Sequence, residues 1–113
     1  MQQTVRLLGE LGERYGAEHQ YHDLQSPAQA LKLLCINFPK LQDELTHAHE
    51  QGIGYKVIQA GLELDYDDLA LPFGKNDLIL TPVIAGSGGA GRILAGAGLI
   101  AASFLFPGAG LFG

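Results

Sequence analysis

Hydrophobic positions along this chain change their spacing several times, and each change marks an element. Residues 3–8 ("QTVRLL") set Val5 and Leu7 two apart, the period of a strand, and the run ends at the glycines Gly9 to Gly12. Residues 18–22 ("EHQYH") follow Gly16 and predict a second, polar strand that pairs back as an N-terminal hairpin. The spacing then lengthens. In "SPAQALKLLCINFP", Leu31, Leu34, Cys35 and Phe38 recur at i, i+3, i+4 and i+7, one face of a helix. Ser26 stands as N-cap, Pro27 at the first helical position and Gln29 at the third, a capping-box arrangement. Pro39 ends or kinks this helix at Phe38. "KLQDELTHAHEQG" predicts a short second helix with Leu41, Leu45 and Ala48 inward, ending before Gly52.

Strand spacing returns in "GYKVIQAG", with Tyr55, Val57 and Ile58, turned at Ala60-Gly61. Pairing resumes through Leu62 and Leu64 and gives way to a polar loop at Asp65, Asp67 and Asp68. "LPFGKND" is turn chemistry. "DLILTPVIA" is apolar on both faces, which places it at the centre of a sheet, with Pro82 near its end. The order is strand, strand, helix, short helix, strand, short strand, strand. It predicts an α+β domain over residues 1–85, one main helix on a mixed sheet of four or five strands. That order matches the ubiquitin-like β-grasp, whose last strand inserts in the middle of the sheet.

From Gly86 the pattern dissolves. Residues 86–92 form a Gly-rich linker, since "GSGGAG" has nothing to pack. Residues 93–113 are uncharged, Gly/Ala-rich and mostly apolar, and predict a helical segment carried by Ile93, Leu94, Leu99, Ile100, Phe104, Leu105 and Phe106. Fourteen helical residues up to Phe106 span about 21 Å, short of a bilayer core of about 30 Å. The small residues Gly96, Ala97, Gly98, Ala101, Ala102 and Ser103 allow close helix approach. Such a segment marks an interaction site and needs burial by partner subunits, by copies of itself or, less favoured, by a membrane.

Charge removes one class of partner. The first 85 residues hold all 12 acidic and six of the seven basic residues, a net −6, and no basic face exists to bind nucleic acid. Candidate chemistry is thin. Cys35 is the only cysteine and lies in an apolar stretch, so the expectation is a buried core thiol. The N-terminus lacks the apolar core of an export signal. His19 and His22 fall on opposite faces of a strand, and His47 and His49 are separated by roughly 200° on a helix. Neither pair has metal geometry. The run Asp65, Asp67, Asp68 lacks the turn glycine and distal Glu of a calcium loop. The glycines at 86, 88, 89 and 91 have no following Lys-Ser/Thr, so they make no phosphate loop. No catalytic triad or locally paired carboxylates are seen. The expectation is a chain that is not an enzyme and takes no cofactor or metal.

Three stretches, "SPAQALKLLCINFPKLQDEL", "YKVIQAGLEL" and "DLILTPVIAGSGGAG", together resemble the N-terminal part of tail assembly protein I of lambda-like long-tailed phages. They spread over roughly residues 26–100. The motifs are loose one by one and fairly specific together. The resemblance implies a tail-tip assembly factor with a ubiquitin-like β-grasp domain and a Gly/Ala-rich apolar region. It implies tail-tip proteins as partners, a central tip or fibre protein and a peptidase-type tail protein among them. Docking would use a sheet edge or the face around Tyr55, Asp65, Asp67 and Asp68, with self-association through the apolar segment as a further contact. The place of action would be the host cytoplasm during assembly and the virion tail tip. The family usually carries a further C-terminal domain, and this sequence stops at Gly113, so the functions of that domain are not implied.

The resemblance also gives Gly88-Gly89 a role. Ubiquitin-like proteins and small sulfur carriers present a diglycine after the last strand, because glycine threads a narrow enzyme channel. Lambda-like phages encode a tail protein with a metallopeptidase domain of the deubiquitinase type, which would cut after Gly89; the alternative reading makes these glycines only a flexible hinge. The alternative functions are therefore a sulfur-carrier-type protein processed at Gly88-Gly89, and a small membrane-anchored protein.

Overall fold

The computed structural model describes residues 2–84 and 93–94. In chain order the elements are β1 (Gln2–Leu7), α1 (Gly9–Tyr15), β2 (Glu18–His22), α2 (Pro27–Asn37) and α3 (Pro39–His47). A 3-10 turn (Ala48–Gln51), β3 (Ile53–Gln59), β4 (Leu62–Leu64), a second 3-10 turn (Tyr66–Ala70) and β5 (Leu78–Ile84) follow. The five strands form one mixed sheet in the order β2-β1-β5-β3-β4. β1 and β5 run parallel, and the other neighbours are antiparallel. This α+β architecture, with the last strand central, is compatible with a β-grasp-like fold.

α2 forms where its sequence places it. Ser26 Oγ accepts from the Gln29 N–H at 3.3 Å. The Gln29 side chain reaches back one residue further than in a capping box and accepts from the Gln25 N–H at 2.6 Å. Leu31, Leu34 and Cys35 are buried against Val5, Leu7, Val57, Leu78 and Leu80 in the hydrophobic core. Phe38, half-buried, ends α2 and lies between Tyr15 and His19, with ring centroids 5.6 and 5.3 Å away. Leu41 and Leu45 of α3 and Leu69 of the second 3-10 turn complete the same core.

The N-terminal hairpin needs a correction. β1 and β2 do pair, from Gln2 opposite His22 to Arg6 opposite Glu18, but a seven-residue helix joins them. Glycines at 9, 12 and 16 break any helical pattern in the sequence. Packing overrides propensity here, because α1 buries Leu11 completely. Gly12 is demanded by that packing, since a Cβ there would stand 2.4 Å from the Leu7 carbonyl oxygen. The Asp run is also more than a loop. Asp65 caps the second 3-10 turn, accepting from the Tyr66 N–H at 2.8 Å, and Asp68 accepts from the Asp65 N–H at 2.9 Å.

Pro82 sits inside the central strand, and two features permit it. Opposite Tyr55 it occupies a pair whose Tyr55 N–H and C=O point away from β5. On its other side β1 has already left the sheet: the last bond there runs from the Leu8 N–H to the Leu80 carbonyl (3.0 Å). No ladder bond is lost at the proline. A polar clamp absent from the sequence pattern holds the β2–α2 connection. The buried Gln3 side chain donates to the Leu24 carbonyl (2.8 Å) and accepts from the Leu24 N–H (2.6 Å), as a neighbouring strand would.

Candidate functional site

β3 is the strand on which two of the candidate residues, Tyr55 and Leu94, meet. The Ala60-Gly61 turn, with φ of 56° and 77°, is the two-residue type I′ geometry that returns β4 directly. β4 is short, however, and covers only Val57, Ile58 and Gln59. Beyond it the outer edge of β3 would be bare. Leu94 fills that place. The Tyr55 N–H donates to the Leu94 carbonyl (2.8 Å), and the Leu94 N–H donates to the Tyr55 carbonyl (2.7 Å), in an antiparallel bridge. The Leu94 side chain is 1% exposed and belongs to the core.

This corrects two expectations. Tyr55, also 1% exposed, is a core residue, so its side chain is not an exposed contact on the domain's surface. Burial first, and the negative Glu44 second, push its phenol up to about 12, so it stays neutral. Leu94 is extended backbone paired with β3, whereas the sequence placed it in a helix separate from the domain. The folded unit therefore includes a residue beyond position 85. Gly88 and Gly89 lie outside the described residues, in the stretch joining two points that β3 holds, Ile84 and Leu94. Leu99, Ile100, Phe104, Leu105 and Phe106 also lie outside the described residues. Of the acidic candidates, Asp67 is exposed, while Asp65 and Asp68 are half-buried and engaged in capping.

A second concave region lies between the helices, a cavity of about 240 Å³. Ile53, Tyr55, Pro82 and Ala48 supply its apolar lining, and Glu10, Arg14, Asp43, Glu44, His47 and Gln51 its polar one. Arg14 bridges α1 to α3, pairing with Glu44 and, at 2.6 Å, with Glu10. Tyr15 adds a hydrogen bond to Glu44 at 3.1 Å. Glu44 holds the Arg14 guanidinium above its ordinary value by hydrogen bond and charge. Three carboxylates against one guanidinium favour a cation over an anion. The sequence hid this arrangement, because Arg14 and Glu44 lie on different helices and α1 was not expected.

His19 Nε2 lies 3.0 Å from the Gly16 carbonyl while its ring packs on Phe38. His47 is flanked by Asp43 and Glu50 at 3.4 and 3.3 Å. Among the described residues no group of three His, Cys, Asp or Glu is placed to hold a metal ion. Burial pushes the Cys35 thiol up to about 12, far from a reactive thiolate. Among the described residues no helix is long and apolar enough to cross a membrane. Compared with known proteins, the chain matches no family model, no curated protein and no solved structure.

Proposed function

We propose that this chain is a non-enzymatic assembly module of a phage tail tip. Its domain is a ubiquitin-like β-grasp that docks a tail-tip protein, and its uncharged segment is buried among tail subunits. The observation that carries the reading is the sheet order β2-β1-β5-β3-β4 with parallel β1 and β5, in a chain whose residues 93–113 are uncharged and mostly apolar. A central last strand under one main helix is the β-grasp arrangement. The resemblance over residues 26–100 to tail assembly protein I of lambda-like phages supplies the setting. A domain of this size leaves little apolar surface free to cover the nineteen further apolar and small residues 95–113, so another molecule is the natural cover.

The test is co-purification of the full chain with the tail-tip proteins encoded beside it. The expected result is a complex that survives size exclusion, and its loss when residues 95–113 are removed while Leu94 is kept. A full chain that stays monomeric without detergent and captures none of those proteins would overturn the proposal.

A further inference from the structure

We propose that the cavity between α1 and α3 is a binding site for a primary ammonium on a short alkyl chain, the chemistry shared by a lysine side chain and a free alkylamine. The inference goes beyond the assembly reading and does not depend on it. Two independent observations carry it. The first is a buried hydroxyl with nothing to bond. Tyr55 lines the cavity and is 1% exposed, and its hydrogen bonds run from its backbone to Leu94. Among the described residues its hydroxyl has no partner, although Glu44, Arg14 and Glu10 stand close enough to act on it by charge. Buried tyrosines ordinarily spend this hydroxyl on a partner, so one left open on a cavity offers a ligand its first contact.

The second observation is the state of the carboxylates around it. Glu44 gives Oε1 to Arg14 and Tyr15, Glu10 gives Oε2 to Arg14, and Asp43 Oδ1 faces His47. Each keeps its other oxygen without a partner among the described residues. These three acids outnumber Arg14 and His47 whether or not His47 carries a proton, and Glu50 at the other ring nitrogen of His47 adds to the excess. A cation is therefore the favoured guest. Its shape follows from the same atoms. Single oxygens on separate carboxylates suit a compact ammonium with three donors, whereas a planar guanidinium wants both oxygens of one carboxylate. Ile53, Ala48 and Pro82 give an alkyl stem an apolar wall. The volume of about 240 Å³ falls below the roughly 300–1,000 Å³ of drug-sized pockets, so that stem is short.

The test follows amide chemical shifts of the isotope-labelled full chain during titration with butylammonium. Butanol, butylguanidinium and butyrate are titrated in parallel at one ionic strength. The expected result is saturable shifts at Ile53, Tyr55 and Glu44 with butylammonium, at about one tenth of the concentration that butanol or butylguanidinium needs, and none with butyrate. Tyr55→Phe removes one oxygen and no hydrogen bond. It should weaken butylammonium binding about tenfold without lowering the melting temperature. Should that variant not fold, Asp43→Asn on the exposed face of α3 should weaken binding by about threefold. An absence of shifts, equal binding of butanol or butylguanidinium, or undiminished affinity in the variant that folds overturns the site. Nα-acetyl-lysine methylamide separates the two sources. Binding as tight as that of butylammonium assigns the site to a lysine side chain of another protein, and its failure to bind where butylammonium does assigns the site to a free alkylamine.

Discussion

α1 and α2 lie on the same side of one sheet, yet they form for different reasons. α2 carries its own instructions: a serine cap, a proline at the first position, an apolar stripe and a proline stop. α1 has glycine at its first and fourth positions, no side-chain cap, and only seven residues. An isolated helix of that length and composition does not persist in water. Leu11 in the core, the Leu7 N–H bonded to the Ala17 carbonyl at 3.0 Å, and the Arg14 bridge to Glu44 hold it in place. The pair teaches that a helix can be read from local pattern or made by what it packs against. Only the first kind announces itself.

Changes on the two helices can break or sharpen that contrast. Leu11→Ala should cost about 2–5 kcal/mol in denaturant unfolding, as much as a core leucine of α2 such as Leu34. A loss below about 1 kcal/mol would mean that α1 is an ornament on the sheet. Gly12→Ala separates propensity from packing. Alanine favours an isolated helix by about 1 kcal/mol. Its Cβ must nevertheless displace the Leu7 backbone, so a net loss of about 1–3 kcal/mol is expected. A more stable variant would show that α1 moves freely over β1.

Alkaline pH probes the α2 side. Burial raises the Cys35 thiol from 9.0 to about 12, so between those values the folded chain holds a proton that the unfolded chain has released. Its contribution to stability is complete below pH 9 and is lost as pH rises toward 12. Cys35→Ala should flatten that decline by up to one proton, about 1.4 kcal/mol per pH unit, in unfolding curves recorded across the range. Ser26→Ala should cost about 1 kcal/mol, since one cap among many core contacts is removed. Smallest is a gain. Ala60 has φ of 56°, and Ala60→Asn at this type I′ turn should add about 0.5–1 kcal/mol to the melting stability.

Much of the fold was legible. The strand run at β5, the stripe Leu31, Leu34, Cys35 and Phe38, and the Ala60-Gly61 turn all announce themselves within a few residues, because period and turn chemistry are local properties. The candidate site was less so. Asp65, Asp67 and Asp68 looked like a surface loop, and two of them cap a turn whose Leu69 reaches the core. Tyr55 looked like a contact residue, yet it is buried in the core and its backbone is bridged to Leu94. The Gln3 clamp and the Arg14–Glu44 bridge join residues far apart in sequence, and nothing at either end signals the other.

By itself, the sequence determined an acidic domain with one strongly specified helix, a central apolar last strand and an uncharged C-terminal stretch. Those properties follow from residue type and spacing over one or two turns of chain. The tertiary structure alone decided that a glycine-studded segment becomes a helix, that Pro82 lies where no ladder bond is missed, and that Leu94 returns to finish the edge of β3. Each of these depends on which backbone groups another part of the chain leaves unpaired, and that is settled only when the sheet assembles.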